Sequence, residues 1–153
     1  QGRKPCAAAY LLLCEALRKE YGITQKPVFE YSEHGKPMLV GFPKIHFNFS
    51  HCREAVVCVV SDHAVGVDVE SIREYKESLV NYTMNEDEAQ QIIHSENPAL
   101  TFTKFWTRKE ALLKLTGEGI GGRSMKEVLT GTEEIETVVC KEKNYVYSVV
   151  FGK

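Results

Sequence analysis

The chain of 153 residues lacks the cysteine pairs that a structural zinc site or a disulfide framework would use. Its five cysteines are scattered along the sequence, and no two of them form a C-x-x-C pair. An odd number of cysteines without metal-ligand spacing is typical of reduced thiols. We therefore expect a cytoplasmic protein.

Long hydrophobic runs and a strong net charge are missing as well. The longest apolar run, from Ala7 to Cys14, is far too short to span a bilayer and carries no signal-peptide cleavage pattern. The net charge is -2, from 19 basic and 21 acidic residues, so any anion site must be local. We expect no membrane partner and no nucleic acid partner.

The composition favours a single globular domain over residues 1–153, with 43% hydrophobic and 26% charged residues. Helical spacing and capping residues predict helices over 5–21, 85–95 and 98–115. Short apolar or alternating runs predict strands over 28–31, 45–49, 55–60, 64–70, 134–141 and 145–150. The elements do not alternate regularly as β-α-β, so the sequence predicts an α+β fold with mainly antiparallel pairing.

Two carboxylates, Asp68 and Glu70, lie in the apolar strand A-V-G-V-D-V-E. Because they are two residues apart on a strand, both side chains point to the same face. They could form the solvated face of a half-buried edge strand. They could also be metal ligands, since two anions so close repel each other unless a cation or a proton intervenes. Both interpretations remain open from this strand alone.

A second polar group follows in the predicted helix W-T-R-K-E-A-L-L-K, where Glu110 and Lys114 share a face at i and i+4. The plain alternative is a solvated helix face with one ion pair worth ~0.3–0.5 kcal/mol. Trp106 is expected to be a core residue. Taken together, three carboxylates and adjacent lysines, Lys109 and Lys114, are typical of a magnesium site that handles phosphates.

Two other segments carry weaker signals. His51 ends an alternating strand next to Ser50, where a histidine is usually structural but could instead donate to a phosphate. The glycine-rich segment 117–122 lacks the lysine and hydroxyl residue of a Walker A motif, so we expect a loop there rather than a nucleotide cradle.

Four segments in this order resemble the 4'-phosphopantetheinyl transferase superfamily: G-K-P at 35–37, F-N-F-S-H at 47–51, G-V-D-V-E at 66–70 and F-W-T-R-K-E-A-L-L-K at 105–114. The sequence is most similar to the larger, pseudo-dimeric branch, which acts on carrier proteins of surfactin-type synthetases and of fatty acid synthesis. The resemblance implies two similar α+β halves, roughly 1–61 and 62–153, related by a pseudo-twofold axis with coenzyme A between them.

The resemblance also implies roles for particular residues. The expected magnesium ligands are Asp68, Glu70 and Glu110. The expected catalytic residues are Glu110, which would take the proton of the acceptor serine, Lys114, beside the leaving phosphate, and Asp68. The expected coenzyme A contacts are Arg3, Gly35, Lys36, Pro37, Ser50, His51, Lys109 and Lys114, with Lys109 at the pyrophosphate and His51 orienting the nucleotide.

The function implied is magnesium-dependent transfer of the 4'-phosphopantetheine group from coenzyme A to a serine of an apo acyl or peptidyl carrier protein. Relatives of this branch have strands and basic residues before the first helix, whereas this chain begins at Gln1. We therefore expect either a longer gene product or a short family member. The alternatives are a non-catalytic remnant that binds carrier protein or coenzyme A, and an unrelated magnesium-dependent phosphohydrolase.

Overall fold

The computed structural model describes residues 6–117 and 124–153. Within these ranges it contains four α-helices, seven strands and one 3₁₀ turn. In chain order they are α1 (Ala7–Tyr21), β1 (Phe29–Tyr31), β2 (Pro37–Leu39), β3 (His46–His51), β4 (Val56–Ser61), β5 (Val65–Ser71), α2 (Glu77–Thr83), α3 (Glu86–Ile93), α4 (Pro98–Thr116), the 3₁₀ turn (Met125–Glu127), β6 (Ile135–Cys140) and β7 (Tyr145–Phe151).

The described strands pair in an antiparallel manner and form three small sheets. These are β1–β2, β3–β4 and a three-stranded sheet in the order β5–β7–β6. Helix α1 packs against the β3–β4 hairpin, and α4 packs across β5 and β7. The predicted α+β class with antiparallel pairing is confirmed, while the pseudo-twofold likeness of the two halves stays a prediction.

Local signals in the sequence account for several helix ends. Asn85 and Glu88 form a reciprocal capping box at the start of α3, as the Asn-x-x-Glu spacing predicted. Asn97 caps α4 through its side chain, and Pro98 occupies the first helical position, where its missing N–H costs nothing. Gly117 ends α4 in the left-handed conformation, at φ 73°. The predicted boundaries of these two helices are therefore confirmed to within two residues.

Three features differ from the prediction or lie beyond it. The pattern predicted no helix for α2, whose N-cap Lys76 makes no side-chain cap hydrogen bond. Pro37 is the first residue of β2, a strand that the pattern did not predict. Helix α1 begins at Ala7, and Pro5, the expected first helical residue, lies outside the described residues, as does most of the glycine-rich segment.

The interior consists of several apolar clusters and one buried strand. The largest clusters contain Leu13, Leu17, Leu39 and Phe47 beneath α1, and Val80, Met84, Ile92 and Phe102 between α2, α3 and α4. In β5 the valines at 65, 67 and 69 are at most 1% exposed. The opposite face of β5 carries Asp68 and Glu70, since side chains alternate along a strand. This second face decides where the polar site lies.

Candidate active site

Helix α4 lies directly against the face of β5 that carries the carboxylates, because Gly66 has no side chain. A Cβ atom at Gly66 would lie 2.0 Å from the carbonyl oxygen of Ala111 and 2.6 Å from the amide nitrogen of Leu115. Such distances are far below a normal van der Waals contact. The glycine before the D-x-E pair therefore permits the close approach that brings Glu110 and Lys114 to the carboxylates of β5.

Asp68 is the most buried of the predicted site residues, and one of its two oxygens is fully engaged. Oδ1 accepts hydrogen bonds from Lys114 Nζ at 2.7 Å and from Ser50 Oγ at 3.1 Å. Lys114 Nζ also donates to Ser50 Oγ at 3.1 Å, so the three groups form a closed triangle. Asp68 Oδ2 is buried, and no group among the described residues forms a hydrogen bond with it. Within this part of the chain, half of the carboxylate is thus left without compensation.

Glu110 and Glu70 lie close enough to Asp68 for their charges to interact. Burial raises the pKa of all three carboxyl groups above ordinary values, although Lys114 opposes the shift at each of them. After burial, the Asp68 charge is the next cause that raises the pKa of both Glu70 and Glu110. The single positive charge of Lys114 is shared among three partly or fully buried carboxyl groups, so repulsion among their negative charges is expected.

The chemistry of these carboxylates fits a divalent cation, although they do not form a finished ligand set. In residues 6–117 and 124–153, no group of three or more His, Cys, Asp or Glu side chains is arranged to hold a metal ion. Two buried oxygens, Asp68 Oδ2 and Glu110 Oε1, nevertheless lack a hydrogen-bond partner within these ranges. Unpaired carboxylate oxygens with raised pKa values are suited to a hard cation, which would remove the repulsion. The assignment of Asp68, Glu70 and Glu110 as magnesium ligands stays a prediction.

Lys109 lies away from this cluster, on another side of α4. Its side chain is fully buried, and its ammonium forms an ion pair with Glu88 at 2.5 Å. It also donates to the carbonyl oxygens of Thr83 at 2.9 Å and Met125 at 2.7 Å. An ammonium has three donors, and all three are used here. Lys109 thus joins α4 to α2, α3 and the 3₁₀ turn in this structure, and its expected contact with the pyrophosphate stays a prediction.

Lys36 also has a structural position. Its ammonium donates to the carbonyl oxygens of Lys114 at 2.9 Å and Leu115 at 3.2 Å, with Val65 O farther away at 3.4 Å. A cation at the last carbonyl groups of a helix stabilises that end of the helix. Lys36 thus holds the end of α4, and its expected contact with coenzyme A stays a prediction. Burial lowers the pKa of Lys36 accordingly.

The other expected coenzyme A contacts are placed as follows. Gly35, at φ 81°, forms the turn before Pro37. The contacts of these two residues with coenzyme A stay predictions. His51 is exposed at the end of β3, beside the buried Ser50. Arg3 lies outside the described residues. The structure thus brings together Asp68, Glu70, Glu110, Lys114 and Ser50, and separates Lys109 from them.

Sequence reasoning missed two residues that support this region. Asn48 is 9% exposed and accepts a hydrogen bond from the amide nitrogen of Val67 at 2.9 Å. A polar residue inside the apolar alternation F-N-F-S-H was the available signal for its role. Glu88 takes part in the capping box of α3, and its Oε2 also contacts Lys109. No local pattern indicates that second partner, because it lies 21 residues away.

Comparisons with known proteins find a family match over the part of the chain that contains β5 and α4. The model of the 4'-phosphopantetheinyl transferase superfamily matches residues 64–148, which is more than half of the chain. Similar curated proteins include the 4'-phosphopantetheinyl transferase gsp of Aneurinibacillus migulanus, 36% identical over 117 residues, and psf-1 of Bacillus pumilus, 33% identical over 113 residues. The alignments cover 71% and 72% of this chain but 48% of each relative.

The chain therefore spans about half the length of the curated relatives it matches. Among solved structures, holo-[acyl-carrier-protein] synthase (AcpS) of Thermotoga maritima is similar with a TM-score of 0.47 and 15% identity, over 57% of this chain and 61% of that one. None of the helices in the described part of the chain is long and apolar enough to cross a membrane.

Proposed function

Because the chain belongs to the 4'-phosphopantetheinyl transferase superfamily, we propose that it transfers the 4'-phosphopantetheine group of coenzyme A to a serine of an apo acyl or peptidyl carrier protein. One observation supports this proposal above the others. Inside the matched region, α4 brings Glu110 and Lys114 against the buried carboxylate of Asp68, where two carboxylate oxygens have no hydrogen-bond partner among the residues that the structure describes. A family match alone would not distinguish an intact polar site from a degenerate one.

In the proposed site, Asp68, Glu70 and Glu110 would hold a magnesium ion. When bound, the ion would supply positive charge to the pyrophosphate of coenzyme A and so favour its cleavage. Burial raises the pKa of all three carboxyl groups because it disfavours their charged forms, and a bound cation would stabilise them as carboxylates.

Glu110 is the proposed general base. In the reaction, the serine oxygen of the carrier forms a bond to the phosphorus that bears the pantetheine arm. The bond between that phosphorus and the bridging oxygen breaks, and adenosine 3',5'-bisphosphate leaves. The serine proton goes to Glu110, directly or through a bound water, since a carboxylate positioned at the reacting group can act as general base.

Lys114 is the proposed cation beside the leaving group. Its side chain is about one third exposed, so it can face both Asp68 and a ligand at the surface. Its ammonium donates two hydrogen bonds, to Asp68 and to Ser50, and an ammonium has a third donor to offer. That donor can stabilise negative charge on the departing phosphate.

The proposed function also predicts where the protein works. All five cysteines are free thiols in the structure, as expected of a protein kept in a reducing compartment. We propose that it acts in the cytoplasm, where the thiol of coenzyme A is also stable.

Mass spectrometry of apo carrier proteins tests the transfer. We expect a carrier incubated with the protein, coenzyme A and magnesium to gain the mass of one 4'-phosphopantetheine group at its acceptor serine. A carrier whose acceptor serine is replaced by alanine is the substrate control. Complete absence of the adduct with fatty acid, polyketide and peptide carriers would contradict the proposal. Hydrolysis of coenzyme A without a carrier would favour a phosphohydrolase instead.

The variant Glu110→Gln tests the role of the base. We expect its transfer rate to fall by about 10²–10⁴-fold, the usual contribution of a positioned general base, with an unchanged circular dichroism spectrum. The exposed Glu136 provides a matched control, since Glu136→Gln is the same chemical change away from the site. A near-normal rate for Glu110→Gln would remove Glu110 as base. Binding of coenzyme A or carrier without any turnover by the unmodified protein would favour the non-catalytic alternative.

A further inference from the structure

Strands β3 and β5 face each other without forming a ladder of backbone hydrogen bonds, and side chains join them instead. In the described residues, β3 pairs with β4 and β5 pairs with β7. Asn48 Oδ1 accepts from the amide of Val67 at 2.9 Å, and Ser50 Oγ accepts from the amide of Val69 at 3.2 Å. We refer to these four residues as the β3–β5 seam. The seam satisfies backbone donors on an edge of β5 that would otherwise be buried unpaired.

The Ser50 hydroxyl has no hydrogen-bonding capacity left for a ligand. It accepts from Val69 N at 3.2 Å and Lys114 Nζ at 3.1 Å, and it donates to Asp68 Oδ1 at 3.1 Å. A hydroxyl group offers one donor and two acceptor positions, and all of them are occupied. Ser50 is also only 8% exposed. These contacts argue against a direct bond from this hydroxyl to a phosphate of coenzyme A.

We propose that Ser50 is a positioning residue for Asp68, and that it fixes Oδ1 so that Oδ2 remains the oxygen offered to a divalent cation. The inference rests on the proposed function, because it assumes that the carboxylates hold such a cation. The hydrogen bond from Ser50 restricts rotation of the Asp68 carboxylate, and Lys114, which also donates to Ser50, binds the same oxygen. Oδ2 is then left as a buried oxygen without a hydrogen-bond partner in residues 6–117 and 124–153. The residues outside the metal shell that orient a carboxylate in this way typically contribute 10–100-fold to metal affinity.

Binding measurements on purified variants separate this role from direct phosphate contact. Affinity for Mn²⁺ is measured by titration calorimetry without coenzyme A, and affinity for coenzyme A is measured in EDTA. For Ser50→Ala we expect Mn²⁺ affinity to fall at least 10-fold, while metal-free affinity for coenzyme A stays within about twofold of the original protein. Ser50→Thr, which keeps the hydroxyl, should restore most of the Mn²⁺ affinity.

Ser148 supplies a matched control for the loss of a buried hydroxyl. It is fully buried on the strand opposite Asp68, and its Oγ contacts Thr107 and Thr137 at 2.8 and 2.9 Å. Ser148→Ala therefore deletes the same group at similar burial without touching the carboxylate. We expect its Mn²⁺ affinity to stay within about twofold of that of the original protein, so an equal loss in both serine variants would indicate general destabilisation and overturn the inference.

Two other outcomes would also overturn the inference. One is a loss of metal-free coenzyme A affinity in Ser50→Ala with unchanged Mn²⁺ affinity, which would indicate direct phosphate contact. The other is the absence of Mn²⁺ binding by the original protein. Mass spectrometry of apo carrier proteins tests the proposed function separately. Transfer by a protein whose Mn²⁺ affinity does not depend on Ser50 would reject the positioning role alone, whereas Ser50-dependent Mn²⁺ binding without transfer would reject the proposed function alone.

Discussion

We expect the substitution Gly66→Ala to displace α4 from β5, because the added Cβ would meet backbone atoms that cannot rotate away. The new atom would lie 2.0 Å from Ala111 O, whereas real Cβ contacts essentially never fall below 3.0 Å, so the helix must move by about 1 Å. Overpacking of a tight interior costs about 1–3 kcal/mol, and the overlap with backbone places this case at the upper end. Alanine regains about 0.5–1 kcal/mol over glycine within a strand. The steric cost exceeds this gain, which leaves a net loss of about 2 kcal/mol.

Urea unfolding followed by circular dichroism measures this loss. A loss of about 2 kcal/mol corresponds to a fall in Tm of about 4–8 °C for a chain of this size. The same displacement moves Glu110 and Lys114 relative to Asp68, and a misplacement of about 1 Å can cost about 10²-fold in rate. We therefore expect carrier modification by Gly66→Ala to slow by about that factor even under conditions where the variant is folded.

Gly152→Ala is the matched control for this prediction. Its Cβ would lie 3.2 Å from the Cβ and carbonyl oxygen of Ala64, an overlap that a shift of a few tenths of an ångström relieves. We expect it to cost less than about 1 kcal/mol. If Gly66→Ala were as stable as Gly152→Ala and equally active, the close approach of α4 to β5 would not be what positions the site.

Two further predictions follow from buried charges. Burial raises the pKa of Asp68, Glu70 and Glu110. Between the ordinary carboxyl pKa of about 4 and the raised values, the folded protein therefore binds more protons than the unfolded chain. In EDTA, the contribution of these carboxyl groups to stability falls as the pH rises through that window. Urea unfolding across this pH range should show a smaller fall in the free energy of unfolding for Glu110→Gln than for the original protein. Magnesium added near neutral pH should raise the free energy of unfolding of the original protein. Identical pH profiles for the two proteins would contradict the repulsion among the carboxylates. Lys109→Met should cost about 3–5 kcal/mol by leaving Glu88 as an uncompensated buried charge, and the double variant with Glu88→Met should recover part of it. Urea unfolding of the single and double variants checks these free energies. A large loss of coenzyme A affinity in a folded Lys109→Met variant would support the expected contact of Lys109 with the pyrophosphate.

The sequence allowed the faces of β5 and α4 to be predicted because each depends on a local period. Two residues along a strand return to the same face, which places Asp68 beside Glu70. Four residues along a helix nearly return to the same face, which places Glu110 beside Lys114. Lys109, however, precedes Lys114 by five residues, a rotation of about 140° around the helix axis, so the two ammonium groups cannot serve one site from the same face. Helical geometry alone could have separated these two lysines.

Other features could not be predicted because they depend on contacts between distant parts of the chain. Helix α2 has only seven residues and no side-chain cap, so packing of Val80 and its neighbours, rather than local sequence, stabilises it. The partners of Lys36 and Ser50 lie far along the chain, at α4 and β5. A motif shows which residue types are present, but not whether their polar groups are already occupied by the protein itself.

The first half of the chain contributes to the site through hydrogen bonds that hold β5 and α4 in place. The family match begins at residue 64 and so contains all three carboxylates and Lys114. The residues that hold those groups in place nevertheless come from before it: Lys36 binds the last carbonyl groups of α4, Ser50 binds Asp68, and Asn48 binds the amide of Val67. Without them, two amides on the edge of β5 would lose their acceptors and Asp68 would lose one of two donors to Oδ1. Because buried polar groups without partners are costly, the matched segment cannot keep this arrangement by itself. The segments G-K-P and F-N-F-S-H thus contribute contacts that hold β5 and α4 in place, while the ligand contacts that their resemblance to the family implies stay predictions.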